Sequence, residues 1–120
     1  MDITHLPIID WDLGKKLAGN KMDLACDILD FFMKDIANDV KVIKLLFTQG
    51  QYDHLLRQAH KLHSALCYCG LPRLKMIVAS LEAQLKAKIT TQLAPLIEQL
   101  ETEVTVLFNY YARTPSAAKL

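Results

Sequence analysis

An antiparallel bundle of four long helices, prefaced by one short helix, is the fold that the sequence predicts. Three observations carry it. The 120 residues hold only four glycines and four prolines at 52% apolar content, which favours packed helices over strands and turns. Apolar residues recur at spacings of three and four through four separate segments. Between those segments stand Gly19-Asn20, Gln49-Gly50, Gly70-Leu71-Pro72 and Thr90-Thr91, breaking or capping signals with room for only short connections. A chain of this length builds one core.

The elements follow in order. Residues 1–9 read as an irregular lead-in. Asp10 is suited to cap a short helix over 11–18 that packs Trp11, Leu13 and Leu17, and Gly19 stops it. Asn20 is expected to cap the next helix, with Asp23 adding a favourable charge to its first turn. From Met22 to Thr48 nothing breaks the pattern. Ala25, Leu29, Phe32 and Ile36 make a stripe that Val40, Ile43 and Phe47 continue. Leu24, Ile28 and Phe31 widen it, which predicts burial on two sides, and Asn38-Asp39 permit a bend. Gly50 suits a left-handed C′ position. A helix from Tyr52 ends at Gly70, and Pro72 opens another over 72–87, with Leu74, Ile77, Val78, Leu81 and Leu85 inward and Lys75, Glu82, Gln84 and Lys86 outward. Thr90 or Thr91 is expected to cap the last helix, whose first turn tolerates Pro95 and whose stripe runs from Leu93 to Tyr111. The domain spans 10–112, and 113–120 form a tail after the Thr114-Pro115 break.

Composition narrows the function. A formal net charge of +1, without a block of like charges, excludes a nucleic-acid surface. No apolar run approaches the ~20 residues of a spanning helix, and Met1–Asp10 lack the basic and apolar regions of a signal peptide, so a cytoplasmic chain without direct membrane contact is expected. Cys26, Cys67 and Cys69 are odd in number and match neither a disulfide framework nor a zinc ribbon. No phosphate-binding glycine loop, nucleophile elbow or H-E-x-x-H helix is present. The scattered carboxylates, Glu82 among them, read as solvated.

The histidine helix is the informative stretch. On a wheel of about 100° per residue, Leu55, Ala59, Leu62, Leu66 and Cys69 form a core stripe, and His60 points about 135° away from its centre. Asp53, Leu56, Arg57, His63, Ser64 and Cys67 share that outer face. The face admits three readings. It can be a plain solvated surface. It can be a metal-binding or adaptor face, since His60, His63 and Cys67 at i, i+3 and i+7 converge on one side. Or His60 can be a nucleophile that carries a phosphoryl group, with Arg57, Lys61, His63 and Ser64 as its surroundings and Leu56, Cys67 and Asp53 as a docking rim. Periodicity permits the last reading without selecting it.

The stretch A-H-x-L-H-S-x(5)-G-x-P-R-L, from Ala59 to Leu74, resembles the signature of histidine-containing phosphotransfer (HPt) domains, usually A-H-x-L-K-G. Ile9-Asp10-Trp11-Asp12, the Phe31-Phe32 stripe and Gly50-x-Tyr52 resemble the flanks of that family. The H-K-L-H variant with Cys67-Tyr68 is most similar to the C-terminal domain of BarA/GacS/LetS-type hybrid sensor kinases. The resemblance implies that His60 accepts a phosphoryl group at Nε2 from a receiver-domain aspartate and passes it to the aspartate of a response regulator. It implies no kinase activity and no cofactor on this chain, with Mg2+ on the partner receiver, and an isolated domain that is monomeric, whether free or tethered to an inner-membrane sensor kinase. His63 stands where the family usually has lysine and Ser64 where it has glycine. Ser64, at i+4, is expected to turn its hydroxyl back to the His60 carbonyl.

Overall fold

Low turn content and unbroken apolar stripes produce five helices and, among the described residues, no strand. The computed structural model describes residues 1–114: α1 is Trp11–Leu17, α2 Met22–Thr48, α3 Tyr52–Leu66, α4 Pro72–Lys86 and α5 Leu93–Arg113. Each of the four long helices buries one stripe. Leu29, Phe32, Ile36 and Ile43 of α2, Leu55, Ala59, Leu62 and Leu66 of α3, Leu74, Ile77, Val78 and Leu81 of α4, and Leu93, Leu100 and Leu107 of α5 meet in a single core. α3 packs against both α2 and α4, and α5 closes on α4 and α2. The result is a bundle of 44 × 25 × 25 Å. No helix among the described residues is long and apolar enough to cross a membrane. Residues 115–120, which hold Pro115 and most of the expected tail, lie outside the described residues.

The helix ends show where local signals were overruled. Asp10 caps α1 as expected, its Oδ1 accepting from the Leu13 N–H at 3.0 Å. Asn20 does not cap α2. With Gly19 at φ 67° and Asn20 at φ 65°, both serve the end of α1, where the Asn20 N–H donates to Lys15 O at 2.8 Å. Lys21 becomes the N-cap of α2, without a side-chain bond. Gly50 takes the left-handed position after α2, at φ 68°. Neither Thr90 nor Thr91 caps α5, because the helix starts later, at Leu93, with Gln92 as N-cap.

Two packing expectations are corrected. Leu13 and Leu17 stay exposed while Gly14 is buried, because α1 approaches the bundle through its glycine, which faces Gly70 and Ala25. Leu24 and Phe31 are also exposed, Phe31 at 70%, because α2 is covered on one side only. The lead-in is irregular yet anchored. Ile3 and Ile9 join the core, the Arg73 guanidinium donates from Nε to Leu6 O at 2.7 Å, and the same side chain pairs with Glu103 at 3.5 Å.

A glycine–glycine contact sets the length of the histidine helix. α3 stops at Leu66, short of the expected Gly70, and residues 67–70 tighten into a turn with i→i+3 bonds such as Cys69 N–H to Leu66 O at 3.2 Å. Gly70 is drawn onto α1, its carbonyl accepting from Asp10 N–H at 2.8 Å. Cys69 is buried by this turn rather than by the helical stripe, and burial pushes its thiol up to about 11.

Candidate functional site

The core stripe of α3 turns His60 outward. Its neighbours Ala59 and Leu62 are buried, whereas the His60 side chain is 64% exposed. The Ser64 hydroxyl donates to the His60 carbonyl at 3.0 Å, which folds that side chain back along the helix, as its i+4 position predicts.

Glu82 of α4 is the residue that sequence reasoning misplaced. It is 5% exposed rather than solvated. One carboxylate oxygen, Oε2, contacts His60 Nδ1, and the other, Oε1, lies 2.9 Å from His63 Nδ1. Lys86 Nζ stands 3.5 Å from Oε2. Burial acts to raise the Glu82 carboxyl. The hydrogen bonds from both imidazoles and the Lys86 charge outweigh it and hold the group below the ordinary carboxylate value. The usable signal was helical spacing: Val78, Leu81 and Leu85 at i−4, i−1 and i+3 are all core residues, so the Glu82 stem starts between them.

This geometry fixes one proton on each ring. A carboxylate only accepts, so both imidazoles donate Nδ1–H to it, and in the neutral ring Nε2 is then the nitrogen that carries the lone pair. Nε2 of His60 has no hydrogen-bond partner among the described residues. An exposed imidazole nitrogen with a bare lone pair, backed by an anion on the far side of the ring, is a nucleophile.

The other expected site residues divide around it. Arg57 and Lys61 are exposed, and Lys61 lines a groove between α2 and α3. There its charge lowers the Asp39 carboxyl, although burial prevails and the net shift is upward. Leu56, expected on the outer face, is half-buried and packed on the core. It lines a separate shallow groove between α3 and α4 with Asp53, Lys86, Lys88 and Ile89. Its wheel position borders α4, which covers it. Cys67 is half-buried at the C-cap of α3. Among the described residues no group of three or more His, Cys, Asp or Glu side chains is arranged to hold a metal, so the joint His60, His63 and Cys67 site gains no support.

The α2–α3 groove, of about 760 Å³, was not foreseen. Ile28, Phe31, Phe32, Ala65 and Tyr68 give it an apolar floor, with Asp35, Asp39, Gln58 and Lys61 at its polar edge. Phe31 and Tyr68 are 70% and 65% exposed.

Comparison with known proteins identifies the family and the fold. The Hpt domain family model matches residues 27–110. The chain is 33% identical over 94 residues to the sensor histidine kinase GacS of Pseudomonas protegens, a match that covers 78% of this chain and 10% of that protein. It is 34% identical over 82 residues to the signal transduction histidine-protein kinase BarA of Escherichia coli K12, covering 66% of this chain and 9% of BarA. The chain therefore spans about a tenth of the length of these relatives. In fold it is similar to the HPT domain of a hybrid histidine kinase from Shewanella, with TM-score 0.73 at 24% identity, over 91% of this chain and 97% of that one.

Proposed function

The chain belongs to the Hpt domain family, the phosphotransfer modules of two-component phosphorelays, and from that membership we propose that His60 is its phosphoacceptor. The observation that carries this reading is the Glu82 contact at Nδ1, which leaves the exposed Nε2 as the reacting atom. The Nε2 lone pair attacks the phosphorus of an aspartyl phosphate, in line with the departing carboxylate oxygen. The N–P bond forms as the P–O bond breaks. The aspartate leaves as a carboxylate, and the imidazole keeps its Nδ1 proton and becomes a cation that Glu82 stabilises. Donation to a second aspartate reverses the same step. Arg57, Lys61 and His63 supply positive or hydrogen-bonding groups near the phosphoryl oxygens, and Mg2+ belongs to the receiver.

The partners in this reading are two receiver domains met in turn, one from a hybrid kinase and one from a response regulator. In this reading the α2–α3 groove, on the flank of α3 away from Glu82 and reached from His60 through the adjacent Lys61, is their docking surface, since Phe31 and Tyr68 offer apolar area and its edge is polar. The domain acts in the cytoplasm, as a monomer when isolated, and carries no kinase activity of its own. Incubation with a phosphorylated receiver tests the proposal. It predicts acid-labile, alkali-stable label on wild-type chain and none on His60→Gln of unchanged helicity; an unlabelled wild-type chain overturns it.

A further inference from the structure

Two imidazoles share one buried carboxylate, and the reading above gives the bond between His63 and that carboxylate no role. We propose that His63 is a positioning residue for His60, acting through Glu82: by holding Oε1 it keeps the carboxylate aimed so that Oε2 receives His60 Nδ1–H and Nε2 faces outward. The proposal rests on His60 as phosphoacceptor for its kinetic consequence but not for its structural one.

The argument starts from the number of acceptors. Both imidazoles meet Glu82 through Nδ1, so both oxygens must accept. A carboxylate does this; an amide presents one oxygen and one NH2 and would force one ring into the opposite tautomer. Three groups meet the carboxylate, and they differ in how firmly they can hold it. The Lys86 side chain is 61% exposed and its Nζ lies 3.5 Å away, on the oxygen already used by His60. His60 is 64% exposed. His63 is 28% exposed and alone bonds Oε1, at 2.9 Å. Without it, Oε1 of a side chain that is 6% exposed loses its hydrogen-bond donor. A buried acceptor left without a partner reorients to find water or takes up a proton. In either case His60 Nδ1 loses a fixed anionic acceptor and its ring is free to adopt the other tautomer. Burial is the largest influence on Glu82 and acts to neutralise it, so the bond from His63 is one of those that keep it an acceptor.

Replacing His63 separates an anchoring role from one of charge. His63→Ala removes the donor, His63→Gln restores a neutral donor, and His63→Lys restores a cation. Long-range 1H–15N spectra at about pH 8.5, where an ordinary imidazole is neutral, read the His60 tautomer directly. Wild type and His63→Gln are expected to show His60 protonated at Nδ1, and His63→Ala a mixture. Receiver-dependent labelling should fall about three- to tenfold in His63→Ala, the scale of one ordinary hydrogen bond, since the loss reaches His60 only through Glu82, and return to within about twofold of wild type in His63→Gln. An unchanged His60 tautomer in His63→Ala overturns the proposal. So does labelling restored by His63→Lys but not by His63→Gln, which would assign His63 a role of charge alone. Failure of the phosphoacceptor reading looks different, since wild type then carries no label while the spectra still report the tautomers.

Discussion

The carbonyl oxygen of Asp10 lies where a side chain on Gly70 would begin: a Cβ there would stand 2.2 Å from it and 2.8 Å from Gly14 N. Both obstacles are backbone, and neither can rotate aside. Gly70→Ala is therefore expected to destabilise the fold by about 2–4 kcal/mol, read by denaturant unfolding. Gly19→Ala is the control. No atom lies within 4 Å of its Cβ, so only the left-handed φ of 67° penalises it, by about 1 kcal/mol. Equal losses at the two sites would contradict the close approach of α1 to the end of the histidine helix.

Opposite sides of the α2–α3 groove should respond differently to a charge. Leu62 is 2% exposed, and Leu62→Asp buries an unpaired carboxylate, so the domain should unfold. Phe31→Asp should leave the melting temperature nearly unchanged, because that ring is mostly solvated. In the docking scheme it raises the receiver concentration needed for half-maximal transfer about three- to tenfold. A titration of transfer rate against receiver concentration separates the two, and a Phe31→Asp curve that overlays wild type would remove the groove from the interface.

Glu82 makes stability depend on pH in a definite direction. Its folded carboxyl titrates below the ordinary value of 4.5, since its hydrogen-bond donors and Lys86 overcome burial. Ionisation therefore favours the folded state above that value, and the contribution is lost as pH falls through the lowered one. Wild type should exceed Glu82→Gln in unfolding free energy at neutral pH, with the gap narrowing in acid below about pH 4.5. Equilibrium unfolding of both proteins across that range checks this, and a gap that widens on acidification would refute it.

Much of this was legible because it is local. The stripes of α2, α3, α4 and α5 follow from spacings of three and four, and the outward turn of His60 follows from Leu55, Ala59 and Leu62 on the other side of one helix. The Ser64 back-bond needs only an i+4 offset. Glu82 was not legible, since its meaning depends on the rotation of α4 against α3 and on residues 19 and 22 positions away. Phe31 was misread for the same reason. An apolar residue flanking a stripe is buried only if a neighbouring helix covers it, and no stripe says which neighbour is missing. Asn20 shows a third limit: an excellent N-cap residue is also a good left-handed one, and the end of α1 used it first.

The central claim is that the phosphoryl group resides on one atom, His60 Nε2. Uniformly 15N-labelled chain, phosphorylated through a receiver and examined by 31P and long-range 1H–15N spectra, tests it most directly. The account predicts one phosphoramidate signal, its nitrogen being Nε2 of His60 with Nδ1 still protonated, and no such signal from His60→Gln. A phosphoryl group on His63 or His54, or at Nδ1 of His60, would contradict it.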